Sequence, residues 1–560
     1  MAVTAAPSAT SPRFRPLGSA APTAIATLLV LGPLCLFVLY PLTHILGRSF
    51  VTADGLGLGN YVLMLATPRF LRLLYNSFAV TLVSAALAVA LAYGYAYAIQ
   101  RTTMRGKAFF RMVGLLPLFA PSLVQAQGLT LLLGRNGLIN RSFDLGIDIY
   151  GYWGIVISMV LYVFPYAFLI LSAALAVADA RLYESAEMLG ANSGRIFRTV
   201  TLPSTKYGLA AAIFVCFTLV ITDFGNPMVI GADYNVLATE VYNQVIGQAN
   251  FERGTVIGMV LLIPAAVAAI VEKRVSRAQH AVIADQARPL TPRRHFSRDL
   301  AFLGLCTLVA VALVSIVLVV VYASFVHLWP YRMTFSLRHY AFDVQGGIEP
   351  LWNSINIALI TAALGVVAVG GASYVIEKMT SLASRPLYFL AILPAAVPGM
   401  VLGLGYILAF NSPTNPIYLI YGTLFIIAIA NVYHYHAQAF LIVSTSMKQI
   451  SGTFDEASAT LGGTRFDTLR KVILPLVLPT LLGVAVFFFM RAMVTLSAVI
   501  FLFTPQTQVA AVSVLLLEDR GATNQAAAFS VCIMASVAAG LLLVRSVLFL
   551  SGVRGVTLIR

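Results

Sequence analysis

The sequence predicts an all-α integral membrane protein of about twelve transmembrane helices, arranged as two repeated six-helix modules. Three observations lead there: a composition too apolar for a water-facing surface, apolar runs of membrane-spanning length, and a pattern that recurs half-way along the chain. Hydrophobic residues make up 59% of the 560, and charged residues only 10%. A soluble domain carries roughly 25% charged residues, so most of this chain must have lipid as its solvent.

The apolar runs fall at about 24–46, 77–100, 112–134, 152–177, 208–228, 254–272, 301–325, 354–377, 387–410, 417–443, 478–502 and 525–549. Runs of about 20 residues cross a bilayer as helices, and their lack of alternation argues against a β-barrel. The formal charge of +15 resembles that of a nucleic-acid-binding chain. The Lys and Arg residues, however, sit in short segments between apolar runs and not on one soluble face, so no nucleic-acid partner is expected. With the N-terminus placed inside, internal segments hold 26 of the 36 basic residues, external segments nine, and Arg491 lies within a span. This asymmetry predicts that both termini are cytoplasmic. The first apolar run lacks a small-residue cleavage site and reads as a retained span. Cys35, Cys216, Cys306 and Cys532 each lie in an apolar run without metal-ligand spacing, and read as small buried hydrophobes.

The repeat is explicit. Leu74-Tyr-Asn-Ser77 recurs as Leu351-Trp-Asn-Ser354, and Leu116-Pro117 with Pro121 recurs as Leu393-Pro394 with Pro398, both at an offset of 277. The expected organisation is a tail over 1–23, a first module over 24–272, a basic linker over 273–300 and a second module over 301–560. An even number of spans per module gives both the same orientation, related by a pseudo-two-fold axis along the membrane normal.

A stronger match, at offset 272, lies in the segments after the fourth and tenth spans. One reads Tyr183-Glu-Ser-Ala-Glu-Met-Leu-Gly-Ala191, then Phe197-Arg-Thr-Val-Thr-Leu-Pro203. The other reads Asp455-Glu-Ala-Ser-Ala-Thr-Leu-Gly-Gly463, then Leu469-Arg-Lys-Val-Ile-Leu-Pro475. Each predicts a short amphipathic helix with Glu in its first turn, ended by a Gly, with a Pro marking entry to the next span. Such a helix cannot bury its apolar side within one loop, so a partner protein is expected.

This pattern resembles the signature of permease subunits of bacterial binding-protein-dependent ABC importers, with Ser185 and Ser458 standing where the signature has Ala. The resemblance covers nearly the whole chain and implies the type I importer permease fold. It implies that Glu184, Ala186, Gly190, Ala191 and Pro203, with Glu456, Ala457, Gly462, Gly463 and Pro475, form two coupling elements. Each would seat on one of two copies of an ATPase subunit that binds ATP and Mg, and an extracytoplasmic binding protein would deliver a small solute. No Gly-x4-Gly-Lys-[Ser/Thr] loop occurs, so the ATPase is expected on a separate polypeptide, and this chain is expected to bind no cofactor and to catalyse no reaction. The location implied is the bacterial inner membrane.

The fused two-module length, with Thr222-Asp-Phe-Gly-Asn-Pro-Met-Val-Ile-Gly231, Tyr234-Asn-Val-Leu-Ala-Thr-Glu240 and Gln244-Val-Ile-Gly-Gln-Ala-Asn-Phe251, is similar to the branch holding ferric-iron and 2-aminoethylphosphonate permeases. The Gln-Val-Ile-Gly-Gln part resembles the phosphonate type more, so 2-aminoethylphosphonate is the expected solute, with ferric iron or a phosphorylated solute as the alternative. Arg491, near the middle of span eleven, suits an anion contact on the translocation path, or else a structural pair or snorkelling toward the cytoplasmic end, because an unpaired Arg in lipid costs several kcal/mol. Asp223, near the outer end of span five, suits an ammonium group or a helix cap. His434 and His436 are two residues apart, about 200° around a helix, and cannot chelate one ion, so no metal site is expected. Tyr93, Tyr95 and Tyr97 read as packing. An ion-coupled secondary transporter is the rival class. It needs acidic residues inside its spans, where this chain has almost none, and it leaves the repeated segments unexplained, as does a channel.

Overall fold

The computed structural model describes residues 20–52, 55–177, 179–282, 292, 294–342, 347–379 and 383–550. Most of the 1–23 tail, much of the 273–300 linker, and Arg554 and Arg560 lie outside the described residues.

Among the described residues, ten helices are long and apolar enough to cross a membrane, and two bent helix pairs pass the same test. The first half holds α1 (Thr23–Ser49), α2 (Pro68–Arg101), the bent pair α3 (Lys107–Phe119 with Leu123–Phe143), α4 (Tyr152–Ala176), α6 (Ser193–Thr222) and α8 (Phe251–Val275). The second holds α9 (Phe296–Ser324), α10 (Glu349–Lys378), the bent pair α11 (Ser384–Ala396 with Gly399–Phe410), α12 (Leu424–Gln449), α14 (Arg465–Val494) and α16 (Thr523–Ser546). Among the short helices between crossings are α5 (Ala180–Met188), α7 (Leu237–Tyr242), α13 (Thr453–Thr460) and α15 (Ala510–Asp519), with Gly59–Leu65 and Gly225–Ile230 besides.

The bent pairs turn by 105° and 110° at their breaks. A re-entrant loop and a broken crossing differ in which way the next helix runs. Ser84 bonds the Val156 carbonyl and Arg101 the Leu175 carbonyl, so α2 and α4 are parallel. Thr361 to Ala428 and Lys378 to Ile450 make α10 and α12 parallel too. A chain can supply two parallel neighbours only if the segment between them crosses the bilayer, so α3 and α11 are complete, broken crossings and the total is twelve. The breaks fall at the repeated Pro121 and Pro398, where ring and missing N–H interrupt a helix.

Observed limits depart from the apolar runs where the chain is apolar without being helical. Helix α14 ends at Val494, and 495–502 turn back inside the protein, so Arg491 sits near the end of its crossing and not at its middle. Non-helical backbone at membrane depth is tolerated when protein covers it. Helices α6 and α14 also begin earlier than hydropathy suggests, at Ser193 and Arg465. The helix begun at Phe251 runs on to Val282, into the stretch set apart as a linker.

The first crossing of each half packs on the other half. Helix α1 places Leu34 and Val38 in the second half's core, and α9 places Cys306 and Leu313 in the first half's. Two glycines 277 residues apart make this close approach possible. A Cβ on Gly128 would stand 2.7 Å from the Ile316 carbonyl oxygen, and one on Gly405 would stand 3.0 Å from that of Pro41.

The repeated Asn-Ser pair pins the segment that returns at the far face. Ser77 and Ser354 accept from the backbone N–H of Leu237 and Ala510, each at 2.8 Å. Asn76 and Asn353 donate to the Asn235 and Gln506 carbonyls, each at 3.0 Å. That face also carries the hairpins β1–β2 (Val51–Thr52, Gly55–Leu56) and β3–β4 (Val326–Leu328, Arg332–Phe335).

Candidate functional site

Two features are the candidates for function: paired segments on one face, and a cavity where the halves meet. In the first segment Asp179 caps α5 by accepting from the Arg181 N–H, so the helix starts earlier than expected and Glu184 lies past its first turn. In α13, Asp455 and Glu456 do occupy the first turn, as expected. Both helices end identically. Gly190 (φ +74°) and Gly462 (φ +73°) are left-handed. Gly190 N–H bonds the Glu187 carbonyl and Ala191 N–H the Ala186 carbonyl; Gly462 and Gly463 bond Ala459 and Ser458 in the same way. This paired 5→2 and 6→1 pattern satisfies the last carbonyls of the helix.

One difference between copies has a steric cause. A Cβ on Gly463 would lie 2.6 Å from Ser458 Oγ, so the larger Ser458 leaves no room for the Ala that Ala191 provides opposite Ala186. Each segment then passes through a π turn, Phe197–Thr201 or Leu469–Ile473, into the long helix carrying Pro203 or Pro475. A widened turn accommodates a proline that has no N–H to give. Glu184, Glu456, Ala457, Pro203 and Pro475 are exposed, while Ala186 and Ser458 are half-buried in matched register. Met188, Leu189 and Leu461 are 89%, 85% and 88% exposed. Tyr183 anchors α5 from below, its hydroxyl on Thr201 and its ring under the Arg101 guanidinium at 5.0 Å.

The cavity measures about 110 Å³ and is lined by both breaks (Pro117 to Ser122, Pro394 to Gly399) and by α4, α6, α12 and α14. Its wall is built from positions 272 apart: Tyr162 and His434, Tyr166 and Gln438, Leu219 and Arg491, Asp223 and Thr495. The backbone frame is two-fold, but the chemistry on it is not. Arg491 donates from Nη1 to the Tyr166 hydroxyl across the two halves at 2.7 Å, and its Cζ stands 4.6 Å from the centre of the Tyr435 ring. Its Nε is buried with no partner. Asp223 lines the same cavity and accepts from the backbone and side-chain N–H groups of Asn226 at 3.0 and 3.1 Å, capping the turn that follows.

Sequence reasoning singled out Arg491 and Asp223, and the fold brings both to this one cavity. It read both histidines as satisfied. His436 is, through the Ala391 carbonyl, but His434 lines the cavity and its Nδ1 has no partner. It missed Tyr162, Tyr166 and Tyr435; the signal was their polarity at matched depth in two otherwise apolar helices. Tyr93 and Tyr95 pack as expected, with hydroxyls on Thr205 and the Phe110 carbonyl. All four cysteines are free thiols, Cys216 and Cys306 fully buried.

The family described as "Binding-protein-dependent transport system inner membrane component" matches residues 90–280 and again 371–552. The chain belongs to this family. As a member it is a multi-pass inner-membrane permease of an ABC importer, and the two matches fall one in each half. It is 29% identical, over 84% of its length and 77% of the relative's, to the "Putative ferric transport system permease protein FbpB 1" of Haemophilus influenzae. It is 28% identical, over 88% and 73%, to the "Ferric transport system permease protein FbpB" of Actinobacillus pleuropneumoniae. A shorter match, 26% identical over 36% of this chain and 75% of the relative, is to the "Putative 2-aminoethylphosphonate transport system permease protein PhnV" of Salmonella paratyphi A.

Proposed function

We propose that this permease carries ferric iron, ahead of the phosphonate that its Gln-Val-Ile-Gly-Gln segment suggested. The observation that carries this is the cavity wall: three phenols (Tyr162, Tyr166, Tyr435), the Asp223 carboxylate and the His434 imidazole around one space. Oxygen donors with an imidazole suit a hard iron ion. Among the described residues no three His, Cys, Asp or Glu are gathered tightly enough to cage a metal. A path needs such scattered contacts, because a site must bind weakly enough to release. The two longest relatives described above are named for ferric transport. Arg491 then serves an anion travelling with the metal.

The face carrying α5 and α13 is the cytoplasmic one in this reading. Thr23 meets Arg465 there and Thr103 meets Asp299, so the start of α1, the connection between halves and both short helices share the face that the basic residues mark as internal. Glu184, Ala186, Gly190, Ala191 and Pro203, with Glu456, Ala457, Gly462, Gly463 and Pro475, present the two segments to two copies of an ATPase. The exposed Met188, Leu189 and Leu461 are the apolar contacts such a partner covers. ATP-driven closure draws the segments together, and α6 and α14, each continuous with its segment, carry the motion to Asp223 and Arg491. A binding protein delivers the solute from the other side.

A second reading keeps the aminoethylphosphonate: Arg491 and Asp223 face one cavity from opposite halves, as a zwitterion requires. Uptake into vesicles holding the complete transporter separates the two. ATP-dependent entry of radiolabelled ferric iron, not diluted by excess 2-aminoethylphosphonate, is the expected result. Entry of the phosphonate alone would replace iron with the second reading, and entry of neither would refute both.

A further inference from the structure

A second pocket, of about 380 Å³, opens on the face opposite α5 and α13, between α2, α7 and α8, and shares no residue with the central cavity. On its wall are two acceptor groups more than nine-tenths buried: Glu240 on α7 is 2% exposed and Gln244 is 5% exposed. Their mutual bond runs from Gln244 Nε2 to Glu240 Oε1 at 2.8 Å. That leaves Glu240 Oε2 and Gln244 Oε1 each buried with no partner. Arg69 reaches only Oε1, at 3.5 Å, from a largely exposed side chain. A buried carboxylate oxygen without a donor is unfavourable. The π turn Asn243–Gly247 and the left-handed Ala249 (φ +51°) carry the backbone around this pair, and such turns recur at functional sites.

We propose that this pocket binds a primary alkylammonium group, its nitrogen donating to Glu240 Oε2 and Gln244 Oε1 and its carbon stem lying along Leu63, Phe70 and Leu73. The unmet groups are acceptors only and one is anionic, so the ligand is a cationic donor. An ammonium carries three N–H donors on one atom, enough for both unmet oxygens with one left for water. A divalent ion of the calcium or magnesium type takes about six oxygen ligands, more than this pair supplies. The apolar wall gives a methylene stem the burial that lysine-like chains take. Helix α7 also bears Tyr242, whose ring meets Phe224 and, across the halves, Phe501. An occupant therefore abuts a helix that touches the second half through Tyr242 and Phe501.

The ammonium has two possible sources, a free amine or a lysine of the docked binding protein. The test uses the full permease with its ATPase in lipid nanodiscs and reads the thermal unfolding midpoint against n-butylammonium and tetramethylammonium at equal ionic strength. n-Butylammonium should raise the midpoint saturably, and tetramethylammonium, which has no N–H, should not. Glu240→Gln and Gln244→Met should each weaken the apparent affinity about 10-fold or more, roughly 1.4 kcal/mol. If Glu240→Gln does not fold, Gln244→Met decides alone. Competition between n-butylammonium and the binding protein for the permease identifies a partner's lysine, and additive binding of both identifies a free amine. The proposal fails if n-butylammonium gives no shift, if both ions shift the midpoint equally, or if the variants respond as wild type does.

Discussion

Arg491 shows how one side chain can be stable and still poised at membrane depth. The Tyr435 ring and the Tyr166 hydroxyl hold its guanidinium, and its Nε is buried with no partner, the donor that the proposed function assigns to a passing anion. A desolvated cation–π contact contributes about 2 kcal/mol, which with the Tyr166 hydrogen bond offsets part of the cost of a charge held without a carboxylate. Arg491→Lys keeps the charge and loses the planar fork, so uptake should fall several-fold but persist. Arg491→Met should lower uptake at least 10-fold while insertion and ATPase assembly stay normal. Normal uptake by Arg491→Met in reconstituted vesicles would end the anion-path idea, and loss of assembly would make Arg491 structural. At the other end of the same helix, the Thr464 hydroxyl, with the Lys471 ammonium 3.0 Å away, holds the exposed Asp467 carboxyl at about 2. The usual value is near 3.9. A carboxyl lowered by folding takes up protons more readily when unfolded, so its contribution is complete above pH ~4 and is lost as pH falls toward ~2. A carboxyl resonance titrating with a midpoint near 4 instead would contradict this, and Asp467→Asn should abolish the low-pH transition.

At the scale of elements, the two Gly-ended helices are the same object built twice. Nothing lies within 4 Å of a Cβ placed on Gly190 or Gly462, so a side chain there is opposed by the backbone angle and not by space. That angle costs an L-residue about 1–2 kcal/mol, more for a β-branched one. Gly190→Val or Gly462→Val should unwind the end of α5 or α13 and cut uptake sharply, and the double variant should abolish it, with the permease still inserted. Asn, which tolerates the left-handed region, should restore part of it. Uptake at the wild-type rate in the double Val variant would show that these segments do not couple to an ATPase. The repeats of Leu-Pro, Pro, Gly and Asn-Ser were all legible because each marks a backbone requirement, a break, a left-handed turn or a tethered loop. The start of α5 was not, because its cap is Asp179, a residue the second copy does not share in register.

For the molecule as a whole, the exchange of α1 and α9 between halves means that neither half has a closed core alone. Gly128 and Gly405 seat the exchanged helices with no room for a Cβ. Overpacking such a contact costs about 1–3 kcal/mol. Gly128→Leu or Gly405→Leu should therefore lower the unfolding midpoint by several degrees, while Gly371→Ala, with nothing within 4 Å, should not. Equal midpoints for all three would show that the exchange is not a tight contact. A reporter fused within 273–300 should be cytoplasmic; a periplasmic signal would overturn the orientation proposed for both halves.

Composition and pattern were enough to establish lipid as the solvent, the number of crossings, the two-fold repeat and the paired segments, because each rests on local chemistry: hydropathy, proline, glycine, charge. Packing alone revealed that the third and ninth crossings are broken yet complete, that the first and seventh change partners, and that Arg491 stands beside Tyr166 of the other half. Those outcomes depend on which apolar faces meet, and in lipid every apolar face satisfies hydropathy equally well, so shape complementarity and a few buried polar bonds make the choice. The central cavity follows from the same cause. Its frame was written twice in the chain, and its asymmetric lining came together in one cavity only when the two copies packed on each other.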